Sequence, residues 1–197
     1  MRLFMDTRLR ILLAGAATLL IHASAGAQGR VRAPTPEFLS SLKAGQWIQL
    51  EGTPQSDGSV LCTEVKLLTG DFLDDDWELR GPVLGVDAKT RRFMVGRYRV
   101  RLTDEVEFDD PAGKFQSFDD LRAGMLVRIE GTYTKDGAFL AKEVNDESGK
   151  LRKKPGIEKR VQIVGKIERV NLTKRSINAM GTAFLVDANT KLKSVIK

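Results

Sequence analysis

Histidine is all but missing. The 197-residue chain has one, His22, and it falls in an N-terminal stretch that reads as a removable leader. The rest of the chain therefore lacks the commonest general base and the commonest biological metal ligand. Ser-His and Cys-His nucleophile arrangements are excluded, and so are zinc sites of the Cys/His type. Cysteine is equally scarce: Cys62 stands alone, so no disulfide forms within the chain. Long apolar runs are lacking as well. Ile11 to Ile21 is eleven residues, broken by Gly15 and Thr18, where a membrane span needs about 20.

That short run has a meaning of its own. Arg2, Arg8 and Arg10 precede it, and Ala25-Gly26-Ala27 follows it just before Gln28. A positive start, an apolar centre and a small-residue cut are the layout of a secretory signal peptide, here residues 1–27. The expectation is cleavage near Ala27 and an exported, soluble chain with no transmembrane segment. No cysteine lies near the cut, so lipid attachment there is not expected. Residues 28–36 read as a flexible arm, kept extended by Pro34 and Pro36.

What the chain does have is a repeat. Leu42-Lys43-Ala44-Gly45 through Glu51-Gly52-Thr53 returns 79 residues later as Leu121-Arg122-Ala123-Gly124 through Glu130-Gly131-Thr132. Asp57-Gly58 matches Asp136-Gly137 and Glu64-Val65 matches Glu143-Val144 at the same offset. One offset without a gap implies one structural unit used twice. In that register Cys62 matches Ala141. A position that takes either residue is expected to be small and buried, with Cys62 acting as a small hydrophobe.

The repeated block predicts a short helical turn and a hairpin. Phe118 and Leu121 share one side of the turn, and Gly124 closes it. Val127, Ile129 and Gly131 then alternate with Arg128, Glu130 and Thr132, the period of a half-buried strand. Lys135-Asp136-Gly137 turns the chain, and Leu140, Ala141 and Val144 of the return strand do not alternate strictly, which predicts a bulge. Between the copies, Glu78 to Asp87 is a Gly-punctuated strand of the kind that bends at a barrel corner. Ala88 to Arg91 turns the chain, and two shorter strands flank Gly96. This meander recurs less cleanly over 162–187.

Three strands, a short helix and two strands is the chain order of an OB barrel. The fold class expected is mostly β, with two small OB-like barrels. One is continuous over residues 77–147. The other is permuted and assembled from 37–66 plus 160–193, with a basic linker at 148–159. The charges favour the assembly: residues 37–76 carry eight acids and two bases, and residues 148–197 carry thirteen bases and three acids. Two joined barrels also share burial that one of this size has little of.

These elements resemble the bacterial domain of unknown function 5666. The match rests on Gly81-Pro82-Val83, then Leu121, Gly124, Val127 and Gly131, the Asp136-Gly137 hairpin, and Ala141 with Val144. The first copy departs from the pattern at Cys62. The resemblance implies export and an OB-like barrel. It implies no catalytic residue, because the shared positions are scaffold positions.

Acids are plentiful. Asp74-Asp75-Asp76 suggests a hard-cation site, but consecutive side chains point apart and no calcium-loop spacing is present, so a solvated linker is the simpler reading. Asp109-Asp110 and Asp119-Asp120 invite the same idea, and Asp119 reads more simply as a helix cap. No metal or cofactor is expected, and no enzymatic activity. The Asn171-Leu172-Thr173 match to a glycosylation acceptor is incidental if, as the resemblance implies, the chain is bacterial.

The basic residues are more informative. Arg91-Arg92, Arg97, Arg99 and Arg101 crowd one hairpin, and the last three alternate along a strand. Lys150, Arg152, Lys153 and Lys154, with Lys159 and Arg160, form a run around Pro155-Gly156. Arg97, Arg99, Arg101, Lys150, Arg152, Lys153 and Lys154 are the candidate anion-binding residues, against the plainer reading of a solvated strand face and a linker. Nucleic acid is disfavoured, because Tyr98 alternates away from the arginines and an exported protein meets little of it. The expectation is a non-catalytic binding or scaffolding module of the bacterial periplasm or envelope. Its partner is an unidentified envelope protein. The alternative is an anionic polymer or lipid surface.

Overall fold

The computed structural model describes residues 34–68, 77–109 and 113–194. The leader, most of the arm, Asp74-Asp75-Asp76 and Asp110 lie outside the described residues. The protein is mostly β. Its strands are β1 (Trp47–Pro54), β2 (Val60–Leu67), β3 (Trp77–Asp87), β4 (Arg92–Val95), β5 (Tyr98–Asp109), β6 (Leu126–Tyr133), β7 (Ala138–Asp146), β8 (Val161–Asn171), β9 (Ser176–Ala179), β10 (Thr182–Leu185) and β11 (Lys191–Ser194). The one α-helix among the described residues, α1 (Pro36–Ser41), precedes β1. The Thr35 hydroxyl caps it by accepting from Phe38 N at 3.2 Å, and Pro36 stands where no N–H is needed.

All eleven strands belong to one hydrogen-bonded sheet, and its pairings run in two circuits. In the first, β3 pairs with β4, β4 with β5, β5 with β7 in parallel, β7 with β6, and β6 with β3. In the second, β8 pairs with β9, β9 with β10, β10 with β2 in parallel, β2 with β1, and β1 with β8. β11 continues along β2 in parallel. Strands from the two ends of the chain thus lie side by side. Thr190 Oγ1 donates to the Cys62 carbonyl at 2.8 Å, and the Lys166 ammonium stands 5.2 Å from the Trp47 ring centre.

Both hairpins carry the bulge that their glycines require. Register shifts between Glu130 and Gly131 on β6 and between Glu51 and Gly52 on β1, with one residue more on the returning strand. A Cβ on Gly131 would collide with the Leu140 carbonyl, and one on Gly52 with the Leu61 carbonyl. Cys62 and Ala141 are both buried, where only a small side chain fits. The turn before β6 (Phe118–Asp120) is capped differently from the sequence reading. Asp120, not Asp119, accepts from the Gln116 and Ser117 amides at 3.0 Å each, because its carboxylate reaches back over the turn.

The interior is one continuous apolar cluster through both circuits, with Ile48, Val65, Ile163 and Phe184 on one side and Leu79, Phe93, Ile129 and Phe139 on the other. The circuits are joined where β3 pairs with β8, Leu79 opposite Ile163 and Arg80 opposite Gln162. On one face of this seam aromatics interlock: Trp47 with Trp77 at 5.3 Å, Trp77 with Tyr133 at 6.2 Å, and Tyr133 with Tyr98 at 6.3 Å. Gly165 makes room for Trp77, whose ring atoms would lie 2.7 Å from a Cβ there. The Tyr98 hydroxyl crosses to Thr182 Oγ1 at 2.9 Å. On the other face charges interlock. Glu51 holds Arg160 at 2.9 Å and Arg80 at 3.4 Å, Arg128 faces Glu78 at 3.6 Å and Glu147 at 3.8 Å, and Gln162 donates to Glu78 at 2.9 Å.

Candidate functional site

Two of the predicted arginines share a built surface. On β5, Arg99 and Arg101 point outward while Tyr98 and Val100 are buried. On β4, Arg92 and Met94 point outward while Phe93 and Val95 are buried. Pairing sets Arg92 opposite Arg101 and Met94 opposite Arg99. Four neighbouring positions on one face therefore hold three arginines and a methionine. The aromatics of these two strands, Phe93 and Tyr98, are buried beneath this surface.

The loops at its edge are fixed by side-chain turns. Asp87 accepts from Lys89 N at 3.0 Å, Thr90 N at 3.2 Å and Thr90 Oγ1 at 2.6 Å, which launches β4 from Arg91 and Arg92. The Thr90 hydroxyl bond is the main reason the Asp87 carboxyl sits below its ordinary range. Arg91 adopts φ 50°, and its guanidinium stands 5.7 Å from the Phe118 ring centre. Asp136, in the β6–β7 turn, pairs with Arg101 at 3.0 Å, and its carbonyl accepts from Arg99 at 3.4 Å. The Thr134 hydroxyl, then Arg101, hold the Asp136 carboxyl low. One polar atom is left over: Arg101 Nε is buried without a hydrogen-bond partner.

Two clefts flank the row. One, of about 350 Å³, is lined by Thr90, Arg91, Arg92, Arg101, Leu102, Thr103, Asp104 and Val106. The other, of about 380 Å³, is lined by Gly85, Val86, Asp87, Arg92, Phe93, Met94 and Arg99. Arg92 is the wall between them.

The remaining predicted residues lie elsewhere. Arg97 leaves the row: it sits in the β4–β5 turn and donates to the Gly58 carbonyl of the second circuit. Lys150 pairs with Glu147. Arg152, Lys153 and Lys154 are exposed on the turns after β7, and Lys154 borders a cleft of about 360 Å³ with Glu51, Glu64, Arg160 and Lys193. Asp136 precedes β7 and Lys150 follows it, so the two basic groups lie at opposite ends of that strand. The seven candidates do not form one patch. Arg92 completes the cluster, and its place follows from hairpin register rather than from alternation along β5 alone.

Burial pushes the Cys62 thiol up to about 12, and its Sγ lies 3.2 Å from the Glu64 carbonyl. Among the described residues no group of three or more His, Cys, Asp or Glu side chains is placed to hold a metal ion. No helix among them is long and apolar enough to cross a membrane.

Fold and site together define a mostly β protein whose distinctive surface is an arginine-rich hairpin. The chain belongs to the family described as a domain of unknown function (DUF5666), whose model matches residues 15–66 and 80–145, over half of its length. The match covers the hairpin β1–β2 and nearly all of the first circuit, and it stops before β8. No curated protein and no solved structure matches the chain.

Proposed function

We propose that this protein is an exported, non-catalytic binding or scaffolding module of the bacterial periplasm or envelope, built of two OB-like barrels. One barrel is residues 77–147; the other is 37–66 plus 160–193. The observation that carries the barrel reading is the pair of five-strand circuits, each with one parallel pairing in the place an OB barrel has it, between its third and fifth strands. Closed circuits leave few free edges, which suits a display scaffold. The Arg2, Arg8 and Arg10 start, the apolar run and the Ala25-Gly26-Ala27 cut support export. Cell fractionation with N-terminal sequencing tests that part, with periplasmic or secreted protein beginning near Gln28 as the expected result. Full-length protein confined to the cytosol would refute it. Pull-down from envelope extract with mass spectrometry tests for the protein partner.

A second reading, an anionic polymer or lipid surface as the partner, is favoured by one observation. The pairs that match Arg92–Arg101 and Met94–Arg99 in the second circuit are Ser176–Leu185 and Asn178–Ala183, which carry no charge. The scaffold does not need arginine there. Binding to dextran sulfate should weaken steeply between low and physiological salt if this reading holds. Salt-independent capture of one envelope protein would favour the first.

A further inference from the structure

The β4–β5 face is costly to build. Arg92 and Arg101 are direct cross-strand partners, Arg91 precedes them, and Arg99 is one pair further on. Like charges opposite each other on a strand pair are destabilising. The second circuit reaches the same geometry without that cost, even to a left-handed residue just before β9 (Arg175, φ 48°). Compensation within the chain is partial: Asp87 stands opposite Arg92 on β3. Asp136 takes one end of the Arg101 guanidinium, while Arg101 Nε stays buried without a hydrogen-bond partner. Asp104 is the one carboxylate on the wall of the first cleft.

The two clefts differ in chemistry. Thr90, Arg91, Arg92, Arg101 and Thr103 make the first one polar and basic. Gly85, Val86, Phe93 and Met94 give the second a carbon floor, with Arg92, Arg99 and the turn-bonded Asp87 at its walls. Arg92 belongs to both, so a ligand that satisfies it spans from one to the other. Arginine is always charged and presents several planar donors, which suits a tetrahedral oxyanion. Each cleft is at the small end of the range for small-ligand sites.

We propose that the two clefts form one binding site for a phosphate or sulfate ester. The oxyanion lies among Arg91, Arg92 and Arg101, and the carbon skeleton that bears it lies over Met94 with Arg99 beyond. This rests on the anionic-partner reading above and narrows it to one place and one chemistry.

Thermal unfolding of the full chain tests the site, with glucose 6-phosphate and inorganic phosphate compared with chloride at equal ionic strength. Both phosphates should raise Tm saturably, and the sugar phosphate should do so at a concentration roughly ten-fold lower. Arg92→Gln should raise Tm without ligand and shift the half-saturating concentration up at least about ten-fold. Met94→Glu should remove the advantage of the sugar phosphate over inorganic phosphate. Arg175→Gln, in the second circuit, should keep the wild-type response. An unchanged response in Arg92→Gln overturns the site, and so does an equal effect of chloride. Stabilisation by phosphatidylglycerol vesicles but not by glucose 6-phosphate overturns it in favour of a lipid surface. Dextran sulfate binding that survives Arg92→Gln and falls in Lys153→Gln/Lys154→Gln overturns this site and leaves the anionic-partner reading standing. A phosphate response lost in Arg92→Gln, with no polymer bound, does the reverse.

Discussion

Gly131 makes the closest backbone approach in its hairpin, and its hydrogen faces the Leu140 carbonyl. Gly131→Ala should destabilise the chain by roughly 1–3 kcal/mol, the usual cost of overpacking a rigid site, read as a lower urea midpoint at unchanged slope. Cys62 is shut in by packing and holds its proton to about pH 12. A thiol reagent at pH 8 should leave it unlabelled until the chain unfolds, and fast labelling of native protein would contradict its burial. Glu78 has its carboxyl raised by burial, against the pull of Arg128 and Arg80. The folded chain therefore protonates it more readily than the unfolded chain does. Its contribution favours folding below the ordinary value of 4.5 and is lost as pH rises through the raised one. Asp120, lowered chiefly by the Gln116 amide, works in the opposite sense: its contribution holds above the ordinary 3.8 and is lost as pH falls through the lowered value. Glu78→Gln should flatten the stability profile just above pH 4.5 and leave the steeper acid limb in place, as followed by urea unfolding from pH 3 to 7.

At the scale of elements, the β4–β5 turn is tied to the β1–β2 turn through Arg97 and the Gly58 carbonyl. Arg97→Ala should free the turn at residues 55–59. Hydrogen exchange there should speed up while the β4 and β5 amides keep their protection. How much of this was legible in the sequence differs from element to element. The two hairpins could be read because Gly52 and Gly131 answer to local sterics and the apolar positions to a period of two. The bulge was legible too, since Ala141 and Val144 are three residues apart and cannot both face inward on a regular strand. The burial of Tyr98 away from the arginines followed from alternation. What could not be read is the seam that joins the two circuits. The β3–β8 seam sets Arg80 opposite Gln162, and neither residue is marked by its neighbours in sequence. Arg97 breaks from its row because a turn, not a strand, carries it. The two basic groups looked like one resource in composition, and β7 separates them in space.

At the scale of the whole molecule, the acidic segment after α1 and the basic C-terminal segment meet in direct pairs, Arg160 with Glu51 and Lys193 with Glu64 at 2.8 Å. A chain ending at Gly149 loses β8, β10 and β11, the partners that β1 and β2 have outside their own hairpin. Limited proteolysis of that truncation should cut within 37–66 and leave 77–147 intact. Equal protection of both parts would contradict the circuit drawn from the pairings.

The second circuit also imposes a timetable. The ribosome delivers β1 and β2 early, and β8 through β11 come only after the whole first circuit. The first hairpin must wait, its hydrogen-bonding edges open, until β8 has been made. Anything that shields open β-edges would act on this chain in the interval between its first hairpin and β8.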